Sequence, residues 1–125
     1  MIATTRLNKT VDIYMGTGGA PEGVLAAAAL RSIGGQMQGR LLFRNDEEKS
    51  RARAMGIADL NRKYKLTDLA KGDVMFAATG VTDGAMLKGV RRGADIATTH
   101  SMVMRSKSGT VRVVDTSNFP VAKTI

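Results

Sequence analysis

The stretch Gly16-Thr-Gly-Gly-Ala-Pro-Glu-Gly23 is where the residue types and spacing can do chemistry. It lies between an expected strand, Val11 to Met15, and an expected helix, Pro21 to Ile33. Small residues at such a junction let a ligand approach the backbone. The first helical turn offers unpaired N–H groups and the positive end of the helix dipole, which together suit phosphate. The same residues also make a tight strand-to-helix turn with no ligand, and spacing alone does not separate the two readings. Two nucleotide motifs fail here. Pro21 stands where the dinucleotide fingerprint wants glycine or alanine, and Gly23 is followed by Val24-Leu25 rather than Lys-Ser/Thr.

Glu22 adds a carboxylate at the expected second helical position, where the dipole favours it. A carboxylate beside a phosphate site repels the ligand unless a cation stands between them. Mg²⁺ and Mn²⁺ take oxygen ligands, and Mg²⁺ bridges carboxylates to substrate phosphate. Glu22 is therefore a candidate metal ligand, with simple pairing to the dipole as the alternative.

Other segments carry weaker signals. Thr79, Gly80 and Asp83, in Ala77-Ala-Thr-Gly-Val-Thr-Asp-Gly84, would line the same crevice if their strand neighboured the first one. Asp83-Gly84 is more simply a turn pair. His100, inside an apolar strand with no nucleophile motif nearby, reads as structural. Arg91-Arg92 and Arg105-Ser-Lys107 read as solvated charge, with phosphate or another chain as the alternative. The eight methionines read as core filler.

The elements that must position these residues alternate between strand and helix. Pro21 suits a first helical turn, Ala26 to Ala29 favour helix, and Gly34-Gly35 supplies a stop. A strand is expected over Arg40 to Arg44, and a charged helix over Asp46 to Met55 ending at Gly56. A short helix is expected over Leu66 to Ala70, capped by Thr67 and stopped by Gly72. Asp73 to Ala78 reads as a fully buried strand. Thr98 to Arg105 and Thr110 to Val114 read as a hairpin around Ser106 to Gly109. The pattern predicts an α/β layered domain with a mixed sheet over residues 1–114, followed by an irregular tail over 115–125.

Composition excludes several classes. The 125 residues contain no Cys, one His and no Trp, which removes disulfide scaffolds, thiolate sites and His-rich metal centres. The aromatic content of 4% argues against base stacking. The formal charge of +8 invites an anionic partner. Basic residues are nevertheless spread along the chain: residues 1–62 hold nine against six acidic ones, and residues 63–125 hold ten against five. No basic arm or stripe is present, so nucleic acid is not the expected partner. The longest apolar run, Val24 to Leu30, is far short of a membrane span, and a cytoplasmic protein is expected.

Val11-Asp-Ile-Tyr-Met-Gly16, Gly18 to Arg31, Gly34 to Arg40, Gly72 to Gly84 and Thr98 to Lys107 resemble, in order, the class II fructose-1,6-bisphosphatases of bacteria. The resemblance covers roughly residues 1 to 114. It implies the C-terminal part of an inositol-monophosphatase-like αβαβα fold. The implied activity is metal-dependent hydrolysis of the 1-phosphate of fructose 1,6-bisphosphate, giving fructose 6-phosphate in gluconeogenesis. Sedoheptulose 1,7-bisphosphate is a further substrate of some members. The implied cofactor is Mn²⁺ or Mg²⁺, which would polarise the phosphate and activate water. The family's Gly-Ala-Pro-Glu motif places substrate contact on Gly19 and metal binding on Glu22. The resemblance also implies a homo-oligomer as part of the full enzyme. The family's remaining metal ligands precede the matched part, so the sequence is expected to be a fragment without phosphatase activity of its own. A non-catalytic phosphate-binding or assembly module is the alternative.

Overall fold

The computed structural model describes residues 12–119. Helix α1 spans Ala20–Ser32. Its first helical bond closes from the Gly23 N–H to the Gly19 carbonyl at 3.1 Å. Gly19 is thus the N-cap, Pro21 the second helical residue and Glu22 the third, one place later than expected for each. The alanines turn inward: Ala27, Ala29 and Leu30 are buried. Gly34 ends the helix at φ +72°, and the Gly35 N–H reaches back to the Leu30 carbonyl at 2.8 Å. That is the left-handed glycine stop the sequence suggests.

Strand β1, Gln38–Gly39, pairs antiparallel with β2, Tyr64–Lys65. The strand expected over Arg40 to Arg44 does not form; only the two residues before it find a partner. Between β1 and β2 lies α2, Asp46–Ala54. The Asn45 side chain caps it by accepting the Glu48 N–H at 2.9 Å, and Glu48 in turn accepts the Arg44 N–H. Gly56, at φ +88°, and Ile57 close its C-terminus by donating to Arg53 and Ala52. Helix α3, Leu66–Leu69, follows β2 directly. Thr67 is not its cap. The Asp68 carboxylate accepts the Lys65 N–H at 2.9 Å and fastens the entry instead.

The second sheet contains β3 (Met75–Thr79), β4 (Arg91–Arg92), β5 (Ala97–Arg105) and β6 (Thr110–Asn118). β6 pairs with β5 along its whole length, from Arg105 opposite Thr110 to Ala97 opposite Asn118. β3 and β4 therefore share the other edge of β5. The expected hairpin forms, turning at Ser106 to Gly109 with Gly109 at φ +62°. Its second strand continues four residues past Val114, so residues 115–118 are strand and not tail. Residues 120–125 lie outside the described part. The α/β class stands. Every ladder among the described residues is antiparallel, so the mixed character expected of the sheet is not seen there.

β3 is not fully buried; exposed and half-buried residues alternate along it. Phe76 and Ala78 face inward, opposite Met104 and Met102 of β5. The core gathers Ala29, Met102 and Met104, with Ile33, Phe76, Met86 and Leu87 packed around them. α1 thus covers the rows formed by β3 and β5. The strand expected over Val11 to Met15 does not form among its described residues: Asp12 to Met15 pair with nothing, and Ile13 and Met15 are exposed. Val11 lies outside the described part. A strand exists only where a neighbour completes its ladder.

Candidate functional site

Gly19 is extended, at φ −66° and ψ 151°, and contributes no side-chain cap to α1. The first-turn N–H groups of Ala20 and Glu22 therefore have no side-chain cap, and Pro21 has no N–H to offer. Glu22 is exposed, and its carboxylate folds back over the Gly19 backbone. A Cβ built on Gly19 would collide with Glu22 Oε2 and lie 3.1 Å from Cδ. The glycine therefore leaves room for the carboxylate beside the helix start. A Cβ added to Gly18 would meet nothing within 4 Å, so the approach is open on that side. Donors and one carboxylate thus share a single exposed corner.

The second segment does something different. Thr79 Oγ1 and Ser101 Oγ share a hydrogen bond of 2.8 Å across β3 and β5. Asp83 accepts the Gly89 N–H at 2.9 Å and takes two bonds, 2.8 and 2.7 Å, from Nη2 of Arg91. The Gly89 N–H, and then Arg91, hold the Asp83 carboxyl below the usual aspartate range. Val90 donates to Val81 at 3.1 Å and Gly84 to Leu87 at 2.9 Å, closing a tight excursion between β3 and β4. Its glycines are where chain crosses chain: a Cβ on Gly89 would lie 2.8 Å from the Thr82 carbonyl carbon. Asp83-Gly84 is therefore a turn, as its residue types suggest. No hydrogen bond joins this excursion to Gly16–Gly23 among the described residues.

His100 is structural here. Its Nδ1 accepts the Lys88 N–H at 3.1 Å, and its carbonyl accepts the Gly80 N–H at 3.0 Å. Arg91 is engaged by Asp83, and Lys107 lies 3.8 Å from Asp73. Arg92 and Arg105 are exposed. The Asp83–Arg91 pair was not foreseen from sequence; the eight-residue separation carries no pattern, and only the excursion brings the two together.

Among the described residues, no three His, Asp or Glu side chains converge in a way that could hold a metal ion. Glu22 stands as one potential oxygen ligand, whereas a hard dication takes six or more. The described residues therefore do not make a complete metal site. Nor is any described helix long and apolar enough to cross a membrane.

The family model described as bacterial fructose-1,6-bisphosphatase, glpX-encoded, matches residues 1–118. The chain belongs to this family. It is 39% identical over 132 aligned positions to the fructose-1,6-bisphosphatase 1 class 2 of Escherichia coli strain K12. The class 2 fructose-1,6-bisphosphatases of Escherichia coli O6:H1 and Shigella flexneri match at the same identity. Each alignment takes in 94% of this chain and 39% of the relative. The chain thus spans about two-fifths of the length of the class 2 bisphosphatases it matches.

Proposed function

We propose that the chain is the C-terminal part of a metal-dependent fructose-1,6-bisphosphatase that removes the 1-phosphate of fructose 1,6-bisphosphate, a step of gluconeogenesis. The observation that carries this is the family match over residues 1–118, with Gly19 and Glu22 at the exposed start of α1. In this reading Gly19 and the first-turn N–H groups receive substrate, aided by the helix dipole. Glu22 gives one carboxylate to a site for Mg²⁺ or Mn²⁺, and the other ligands come from outside the described residues. The cation would offset the repulsion between Glu22 and a phosphate. The 125-residue chain alone is accordingly not a phosphatase.

A fusion tests this. The chain is joined to the portion of the Escherichia coli K12 relative that it does not match, and phosphate release from fructose 1,6-bisphosphate is measured with and without Mn²⁺. The expected result is Mn²⁺-dependent release that Glu22→Ala lowers at least about 100-fold, with an unchanged circular dichroism spectrum. A folded fusion that releases no phosphate would refute the activity. Unchanged release by Glu22→Ala would refute the role of Glu22. Release by the unfused chain would refute the incompleteness of its site and favour a self-sufficient enzyme.

A further inference from the structure

We infer that His100 is a proton-operated latch: its neutral imidazole holds the excursion between β3 and β4 closed, and its imidazolium releases the excursion and turns to Asp115 on β6. The excursion makes no hydrogen bond to Gly16–Gly23 among the described residues, so the inference stands apart from the phosphatase reading.

The closed state needs an acceptor. His100 Nδ1 accepts the Lys88 N–H at 3.1 Å. It can do so only while Nδ1 is bare and the single ring proton sits on Nε2. A second proton makes both ring nitrogens donors, and the Lys88 N–H then faces a donor. Histidine is the side chain that changes charge between about pH 5 and 8. His100 is half-buried, so a proton reaches it without unfolding the sheet.

The open state needs a counter-charge, and the register supplies it. His100 stands directly opposite Asp115. The His100 carbonyl accepts from Gly80, at the β3 edge of β5. The N–H and C=O of a strand residue point to the same edge. Toward β6 the His100–Asp115 pair is therefore the non-hydrogen-bonded kind, with Cα atoms about 4.5 Å apart and side chains close together. Asp115 is exposed and enters no ion pair among the described residues. The other charges around His100 are committed or turned away. Asp83 of the excursion is taken by Arg91 of β4. Arg31 of α1 donates to the Gly72 carbonyl at 2.9 Å, and Glu22 lies at the exposed start of that helix. β3 has no charged residue, and Arg112 of β6, opposite Val103, is on the other face of the sheet. Lys88 carries a like charge on the segment to be released, which favours parting once His100 is charged.

The release is local. Gly89 donates to Asp83 at 2.9 Å, and the lowered Asp83 carboxyl stays ionised throughout the range in which histidine titrates. The segment set free is Ala85 to Lys88. Its Met86 and Leu87 pack on the core and, with Phe76, wall an apolar cavity of about 360 Å³. One proton thus reshapes that cavity while Asp83 keeps the far end of the excursion in place.

The test is NMR on the isotope-labelled, full 125-residue chain, titrated from about pH 8 to pH 5. The chain has one histidine, so the ring signal reports His100 alone. Amide protection is read as the exchange rate relative to that of an unstructured peptide at the same pH. Lys88 protection should fall at least about fivefold in step with the ring titration, while that of Gly80 and Gly89 changes less than about twofold. His100→Asn keeps an acceptor near the place of Nδ1 but takes up no proton, so Lys88 protection should stay level. Asp115→Asn, at an exposed position, should move the fall to lower pH because the imidazolium loses its counter-charge. Level Lys88 protection while the ring titrates would overturn the latch, as would an undiminished fall in His100→Asn. A fall unmoved by Asp115→Asn would overturn the role of Asp115. Equal losses at Gly80 and Gly89 would mean general opening and overturn the local release. Should His100→Asn not fold, as circular dichroism shows, the unsubstituted chain and Asp115→Asn decide the matter.

Discussion

Replacing Gly80 by alanine puts a methyl group against backbone that cannot step aside. Gly80 is buried where β3 enters the excursion toward β4. Its added Cβ would collide with the Lys88 carbonyl oxygen, 2.9 Å from the Lys88 carbonyl carbon and 3.1 Å from the Leu87 Cβ. Carbon atoms in contact prefer about 3.5–4.0 Å, so the excursion must open by roughly half an ångström or more. Gly80 is not in the left-handed region, so the penalty is steric. Opening strains the Gly80 bond to the His100 carbonyl and the Lys88 bond to His100 Nδ1, which share the same short stretch. Overpacking of this kind costs about 1–3 kcal/mol, and a lost hydrogen bond adds about 1 kcal/mol. The expected loss is about 2–4 kcal/mol, or a fall in Tm of roughly 10 °C for a chain of this size. Urea unfolding followed by far-UV circular dichroism reads the midpoint, and an unchanged slope shows that the folded and unfolded states are otherwise the same. Gly18→Ala is the control: nothing lies within 4 Å of its methyl, and it should hold or slightly raise the midpoint. A Gly80→Ala midpoint equal to that of the unsubstituted chain would refute the close crossing.

Three further outcomes follow from the same structure. Asn45→Ala removes the cap of α2 and should cost about 1 kcal/mol, seen as faster amide exchange confined to the first turn, because Ala52 is the only buried side chain of α2. Asp83 has its carboxyl lowered by the Gly89 N–H and by Arg91, so its contribution to stability is complete above about pH 4 and fades as the pH falls through the lowered value; Asp83→Asn should flatten that acid limb in a pH series of unfolding midpoints. Gly19→Ala displaces the flexible end of Glu22 and costs the N-cap of α1 no more than about 1 kcal/mol, so in the full-length fusion it should lower Mn²⁺ affinity and phosphate release, and intact Mn²⁺ affinity would refute the coupling of these two residues.

What could be read along the chain was whatever neighbouring residues decide. Helix α1 follows from its alanines and from Gly34, since propensity and a left-handed stop act within a few residues. The turn at Ser106 to Gly109 is local in the same sense. The Gly-Ala-Pro-Glu corner was legible as a helix start carrying a carboxylate, and in the fold the helix starts one residue earlier, at Ala20. The short apolar runs were not decided locally. Val11 to Met15 and Leu41 to Phe43 have strand-like composition, but a strand needs a partner ladder, and among the described residues neither run has one. Thr116 to Asn118 lack an apolar pattern and are nevertheless strand, because β5 continues opposite them and supplies the bonds.

The order of residues alone was enough for the body of α1 and its glycine stop, for the glycine turns and for the family to which the chain belongs. It took the folding of the excursion between β3 and β4 back on itself to make Asp83 grip Arg91 and to set Gly80 and Gly89 where chain crosses chain. Packing stops the core at β5 and leaves the valines of β6 uncovered. The division has one physical cause. Backbone propensity and capping are set by residues a few positions apart, whereas ladder pairing, burial and close crossings depend on which distant segments are brought alongside.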